Sequence, residues 1–131
     1  MESRLIMEKI YYDALWELKN YNIRLIGAAE DIVELLRGQR EDQALELLIA
    51  ALDGINWGLE VTNHTQQILK SYGFDGDISN VNSVLTEMMQ ALQYQDYVLL
   101  GDLLEYEILP FLKELQAAVD KMGLSEPQNV Q

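Results

Sequence analysis

The chain has 131 residues, a formal net charge of −13, no Cys, one His and two Pro. That length makes one domain that can bury about 65–70% of its unfolded surface, with no need of a disulfide or metal to fold. The missing Cys excludes disulfides, zinc fingers, Cys-held iron–sulfur clusters and thiol nucleophiles, and the lone His64 excludes any site needing two imidazoles from one chain.

Helical periodicity runs through the chain. Met7, Tyr11, Ala14, Leu18, Tyr21, Leu25, Ala28, Ile32 and Leu35 alternate at spacings of four and three, which places them on one helix face. Ile26, Ala29, Val33 and Leu36 widen that face. The spacing predicts one helix over 3–37, roughly 50 Å long, stopped by Gly38. After a short turn at 39–42, a second set follows: Leu45, Leu48, Leu52, Ile55, Leu59, Thr62, Gln66 and Leu69. It predicts a helix over 41–71, antiparallel to the first because the connection is so short.

Ser71 to Asp77 carries two Gly and two Asp and reads as a loop. A third helix is expected over 78–93, with Val81, Val84, Leu85, Met88, Ala91 and Leu92 inward and Asp77 or Ser79 as N-cap. Asp96 reads as the N-cap of a fourth helix. That helix has two apolar stripes, Tyr97/Leu104/Ile108/Phe111/Leu115/Ala118/Met122 and Leu99/Leu103/Tyr106/Leu109, and Pro110 should kink it. Residues 1–122 then form one domain, and 123–131 a flexible tail. The fold class is all-α: an up-down bundle of about four helices, whose two long N-terminal helices make the hairpin.

The acidity is local. Residues 41–112 hold twelve carboxylates against one cation, Lys70, whereas 1–40 and 113–131 are each close to balance. A basic face for phosphate is lacking, so nucleic acid is not an expected partner, and neither is an anionic membrane surface. No apolar run reaches about 18 residues and the first residues lack a signal-peptide core, so a cytoplasmic location is expected.

The segment Asp96-Tyr-Val-Leu-Leu-Gly-Asp-Leu-Leu-Glu-Tyr-Glu-Ile-Leu-Pro-Phe-Leu112 resembles the C-terminal part of an uncharacterised all-helical family from Firmicutes, and Leu52-Asp-Gly-Ile-Asn-Trp57 resembles its second helix. The strong match covers about a quarter of the chain. The resemblance implies an all-helical fold and a motility-related setting. It implies no activity.

Chemistry-bearing constellations are sparse. Glu60 and His64 are i,i+4 neighbours able to share one metal ion, with an exposed or lightly paired His as the plain alternative. Asp102 and Glu105 are i,i+3 and offer two carboxylates to Mg²⁺, but the paired helix that a pyrophosphohydrolase needs is missing, and a solvated acidic face or a family-specific polar contact is the favoured reading. The Asp75–Asn80 stretch fails the EF-hand template, because Asn80 and Thr86 stand where Gly and Glu belong. Gly73–Gly76 lacks the Lys of a phosphate loop. No cofactor is expected.

Ala50, Gly54 and Gly58 recur at i+4 beside Trp57. Each helical Gly costs about 1 kcal/mol relative to Ala, which a closely approaching helix would offset. That helix is either the chain's own first helix or a partner's. The seven Tyr, among them Tyr97 and Tyr106, suit core or interface positions. The expected function is a non-enzymatic interaction module, an adaptor or small chaperone-like bundle. It would bind a basic or amphipathic-helix partner through Gly54, Trp57, Gly58, Tyr97 and Tyr106. A metal-binding or metal-dependent bundle built on the acidic residues of the last helix is the alternative. Uncovered helix ends and the two-faced last helix make a homodimer the expected assembly.

Overall fold

A computed structural model describes residues 2–127. The fold is an all-α bundle, and the described residues contain no strand. Its elements are α1 (Glu2–Arg37), α2 (Glu41–His64), α3 (Gln66–Ser71), α4 (Ile78–Gln93), α5 (Tyr97–Leu103), a π-helical turn (Leu104–Ile108) and α6 (Leu109–Lys121). No helix among these residues is long and apolar enough to cross a membrane.

The long first helix lies at the centre. It packs against α2 on one side and against α5, the π-turn and α6 on the other, while α4 packs on α5 and the π-turn. Both large contacts are antiparallel. Gly58 of α2 meets Leu18 while Gly54 meets Tyr21, and Arg37 meets Asp102 while Asn22 meets Gln116. Leu15, Leu18, Leu25, Ile32, Leu48, Leu69, Met88, Leu104, Ile108 and Leu115 are buried at the middle.

The buried stripe of α1 is rotated from the expected one. It runs Leu15, Leu18, Asn22, Leu25, Ala29, Ile32 and Leu36, still at spacings of three and four. Met7 is exposed, and Tyr11, Ala14, Tyr21, Ala28 and Leu35 lie at the margin. Asn22 explains the rotation: a polar residue holds a core position because its amide donates to Leu112 O at 2.9 Å and Gln116 Oε1 at 3.0 Å. Its Nδ2 is thus paired twice, whereas its Oδ1 is buried with no hydrogen-bond partner among the described residues.

The expected helix over 41–71 is interrupted at Thr65. Thr62 Oγ1 donates to Gly58 O and Thr65 Oγ1 to Val61 O, both at 2.7 Å. Such back-bonding competes with the regular ladder and bends helices. Downstream, α4 matches its expected bounds, and both Asp caps form, with Asp77 accepting from Asn80 N and Asp96 from Leu99 N. The 72–77 loop is pinned by Phe74, which meets Phe111 edge to face at 5.6 Å.

The last helix is not simply kinked at Pro110. The π-helical turn directly before it widens the coil, so Pro110 falls at the start of α6, where its missing N–H costs least. The chain reversals also differ in detail. Gly38 is not left-handed; Gln39 is, at φ 59°, and Gln95 repeats this at φ 55°. In both, the following N–H reaches back to close the helix: Arg40 N to Leu35 O at 2.9 Å and Asp96 N to Ala91 O at 2.8 Å. These are Schellman closures built on Gln rather than Gly. Past α6, residues 123–127 are non-helical, with Leu124 packed on the core; the rest of the expected tail lies outside the described residues.

Candidate functional site

The seam between α1 and α2 opens outward into a cleft of about 580 Å³. Trp16, Glu17, Asn20, Tyr21 and Arg24 line it from α1, and Asp53, Gly54 and Trp57 from α2. The α1 set recurs at three and four residues, so it forms one strip beside the buried stripe. Tyr21 and Trp57 meet edge to face at 5.8 Å, and the Arg24 guanidinium stands 5.2 Å over the Tyr21 ring. Asn20 Nδ2 donates to Trp16 O at 2.8 Å, which ties two lining residues to one another. Both tryptophans of the chain are in this one cleft, half-buried.

Gly54 and Gly58 are buried against α1. A Cβ at Gly54 would sit 2.8 Å from Tyr21 Cζ, and one at Gly58 would lie 3.4 Å from Leu18 Cδ1. The notch left by the small residues is therefore filled by the chain's own first helix. What remains open is the aromatic surface above it, where Trp57 projects. Tyr97 is half-buried and packs on the core, while Tyr106 is exposed on the π-turn, and neither lines the cleft. The five residues expected to share one surface are thus divided.

A second hollow of about 460 Å³ lies nearer the hairpin turn, with Asp31, Glu34, Leu35 and Gly38 on one side and Arg40 and Leu47 on the other. Together the two hollows line the seam with the carboxylates of Glu17, Asp31, Glu34 and Asp53 against the cations Arg24 and Arg40.

The carboxylates of the last segment have another role. Arg37 Nη2 donates to Asp102 Oδ1 at 2.8 Å and to Glu105 Oε2 at 2.9 Å, joining the end of α1 to α5 and the π-turn. Gly101 admits this arrangement, because a Cβ there would sit 3.1 Å from Arg37 Nη1. The hydrogen bond to Glu105, followed by that to Asp102, pushes the Arg37 pKa further up. A metal at Asp102 and Glu105 would have to displace Arg37. Glu60 and His64 are exposed on α2, and no group of three or more His, Asp or Glu able to hold a metal occurs among the described residues.

Trp16 and Arg24 were not singled out by sequence. The available signal was that two tryptophans sat on adjacent antiparallel helices in positions off both apolar stripes. Arg37 left no signal, since its partners are 65 and 68 residues away.

Fold and site together define an all-helical bundle domain with an aromatic cleft on the seam of its helical hairpin. The chain belongs to the family of a domain of unknown function, DUF8042, whose model matches residues 13–118. No curated protein and no solved structure matches it.

Proposed function

We propose that this protein is a non-enzymatic interaction module, an adaptor or small chaperone-like bundle, and that an amphipathic helix of basic character seats in the Trp16–Trp57 cleft. The carrying observation is the convergence of both tryptophans, with Tyr21, on one open cleft. Tryptophan supplies the largest apolar area of any side chain and is enriched among residues that dominate binding energy. A cleft between two helices suits a third helix laid into it. The seam carboxylates favour a basic partner and speed its approach. The resemblance to the Firmicute family adds a motility-related setting to this proposal, to which we join the cytoplasmic location expected from the sequence.

Because both tryptophans line the cleft, intrinsic fluorescence reports its occupancy. The test recovers the partner by affinity purification from the native cell, then titrates it against the purified protein. Trp57→Ala should weaken binding by a factor of about 30 or more, as loss of a central aromatic anchor does. Retention of full affinity by Trp57→Ala and Trp16→Ala would sink the proposal.

A further inference from the structure

The first helix is longer than the bundle that covers it. Residues 3–10 are all exposed, and the first buried residue is Leu15. Just over two turns of α1 therefore project past the core. They are not polar turns: Leu5, Ile6, Met7 and Ile10 are 66%, 59%, 46% and 52% exposed. Ile6 and Ile10 are four apart and Met7 and Ile10 three apart, so they form one continuous stripe running on into Tyr11. A scattered apolar residue on a surface needs no explanation, but a contiguous stripe marks an interface.

We infer that these turns are a self-association arm, pairing antiparallel with the same turns of a second copy. Charge selects the occupant. The chain carries −13, yet residues 2–12 hold only Glu2, Arg4, Glu8 and Lys9 and are neutral. The Arg4–Glu8 contact at 3.7 Å and the Lys9–Asp13 contact at 2.8 Å balance charge along the arm itself. A basic partner is drawn to the acidic seam and gains nothing from a neutral arm. An anionic lipid surface repels the chain, and the arm lacks the Lys/Arg-rich polar face of an interfacial helix. Another copy of the neutral stripe meets no such penalty.

The same reasoning fixes the direction. In a parallel pair the two acidic bundles would lie side by side. In an antiparallel pair they sit at opposite ends, separated by more than the Debye length of about 8–10 Å that screens exposed charges. The contact is isologous and closes as a two-fold dimer. The family model begins at residue 13, so the arm lies outside the matched domain.

Sedimentation of the full chain over a wide concentration range tests this. A reversible monomer–dimer equilibrium is expected. Ile6→Lys/Ile10→Lys should raise the dissociation constant at least tenfold while leaving the melting temperature of the monomer unchanged, since both side chains are already exposed in it. Trp57→Ala should leave the dimer intact, which separates this inference from the partner-binding reading. With no native Cys, fluorophores on Gln43→Cys are unique labels near the hairpin turn. In the antiparallel dimer they stand on the order of 90 Å apart and show no energy transfer. A monomer at every concentration, a dimer untouched by the double substitution, or efficient transfer at Gln43 overturns the inference. Partition of the intact chain, but not of the double variant, onto phosphatidylcholine vesicles in place of dimerisation also overturns it and makes the arm a lipid-surface helix.

Discussion

The Tyr21 ring occupies the space that a side chain at position 54 would need. A Cβ on Gly54 would meet the Tyr21 hydroxyl and lie 2.8 Å from its Cζ. Gly54→Ala must therefore push the ring aside. Overpacking costs about 1–3 kcal/mol, and the better helix former returns about 1 kcal/mol. A net loss of up to about 2 kcal/mol is expected. In a Tyr21→Ala background the clash is gone and Gly54→Ala should be neutral or stabilising. A double-mutant cycle by urea unfolding measures the coupling, and additive losses would show that the ring does not fill the notch.

Asn22 holds the register of α1 by donating from its amide to two oxygens, Leu112 O and Gln116 Oε1. Asn22→Asp replaces that donor with a carboxylate facing acceptors in the core. The expected cost at pH 7 is about 3 kcal/mol or more. Burial raises the folded pKa of the new acid, whose protonated form can still donate. Its penalty is therefore absent below the unfolded value of about 3.9 and grows as pH rises above it. Thermal melts across pH should show the variant approaching the wild type in acid. A constant difference at all pH values contradicts this account.

Gln39 and Gln95 occupy left-handed conformations at φ 59° and 55°. A side chain there carries a steric cost of about 1–2 kcal/mol that Gly avoids, while Gly loses more chain entropy on folding. Gln39→Gly and Gln95→Gly should each stabilise by about 0.5–1 kcal/mol. The two closures belong to different helices, α1 and α4, so their effects should add. Denaturant midpoints at unchanged slope are the measurement.

Arg37 clamps the end of α1 to Asp102 and Glu105 at a partly exposed site. Arg37→Met should lower the melting temperature slightly, and the difference should shrink in high salt. Because the Arg37 pKa is pushed up, its contribution is complete at all neutral and acid values that leave the carboxylates ionised, and is lost only in strong alkali. A salt-independent difference would mean that the side chain acts through packing instead.

The fold class, the α4 bounds and the two Asp caps were legible because each rests on neighbours three or four residues apart. Apolar spacing and capping oxygens are local properties, and the chain carries them openly. The acidity of 41–112 and the small-residue notch at Gly54 were legible on the same grounds.

Tertiary contacts decided the rest. Asn22 stands outside both apolar stripes of α1, and Leu112 and Gln116, 90 and 94 residues later, give its amide partners in the core, so the buried stripe runs through it. Thr65 interrupts a helix that apolar spacing alone would continue, because its hydroxyl and that of Thr62 bond back to the preceding turn. The candidate metal carboxylates became an Arg37 clamp, and the groove beside Trp57 became a cleft shared with Trp16. Each depends on which helix lies across the seam, which the order of residues along one helix does not contain. Composition and periodicity set what the helices are; their antiparallel packing around α1 set which polar groups are paired and which aromatic surface is left open.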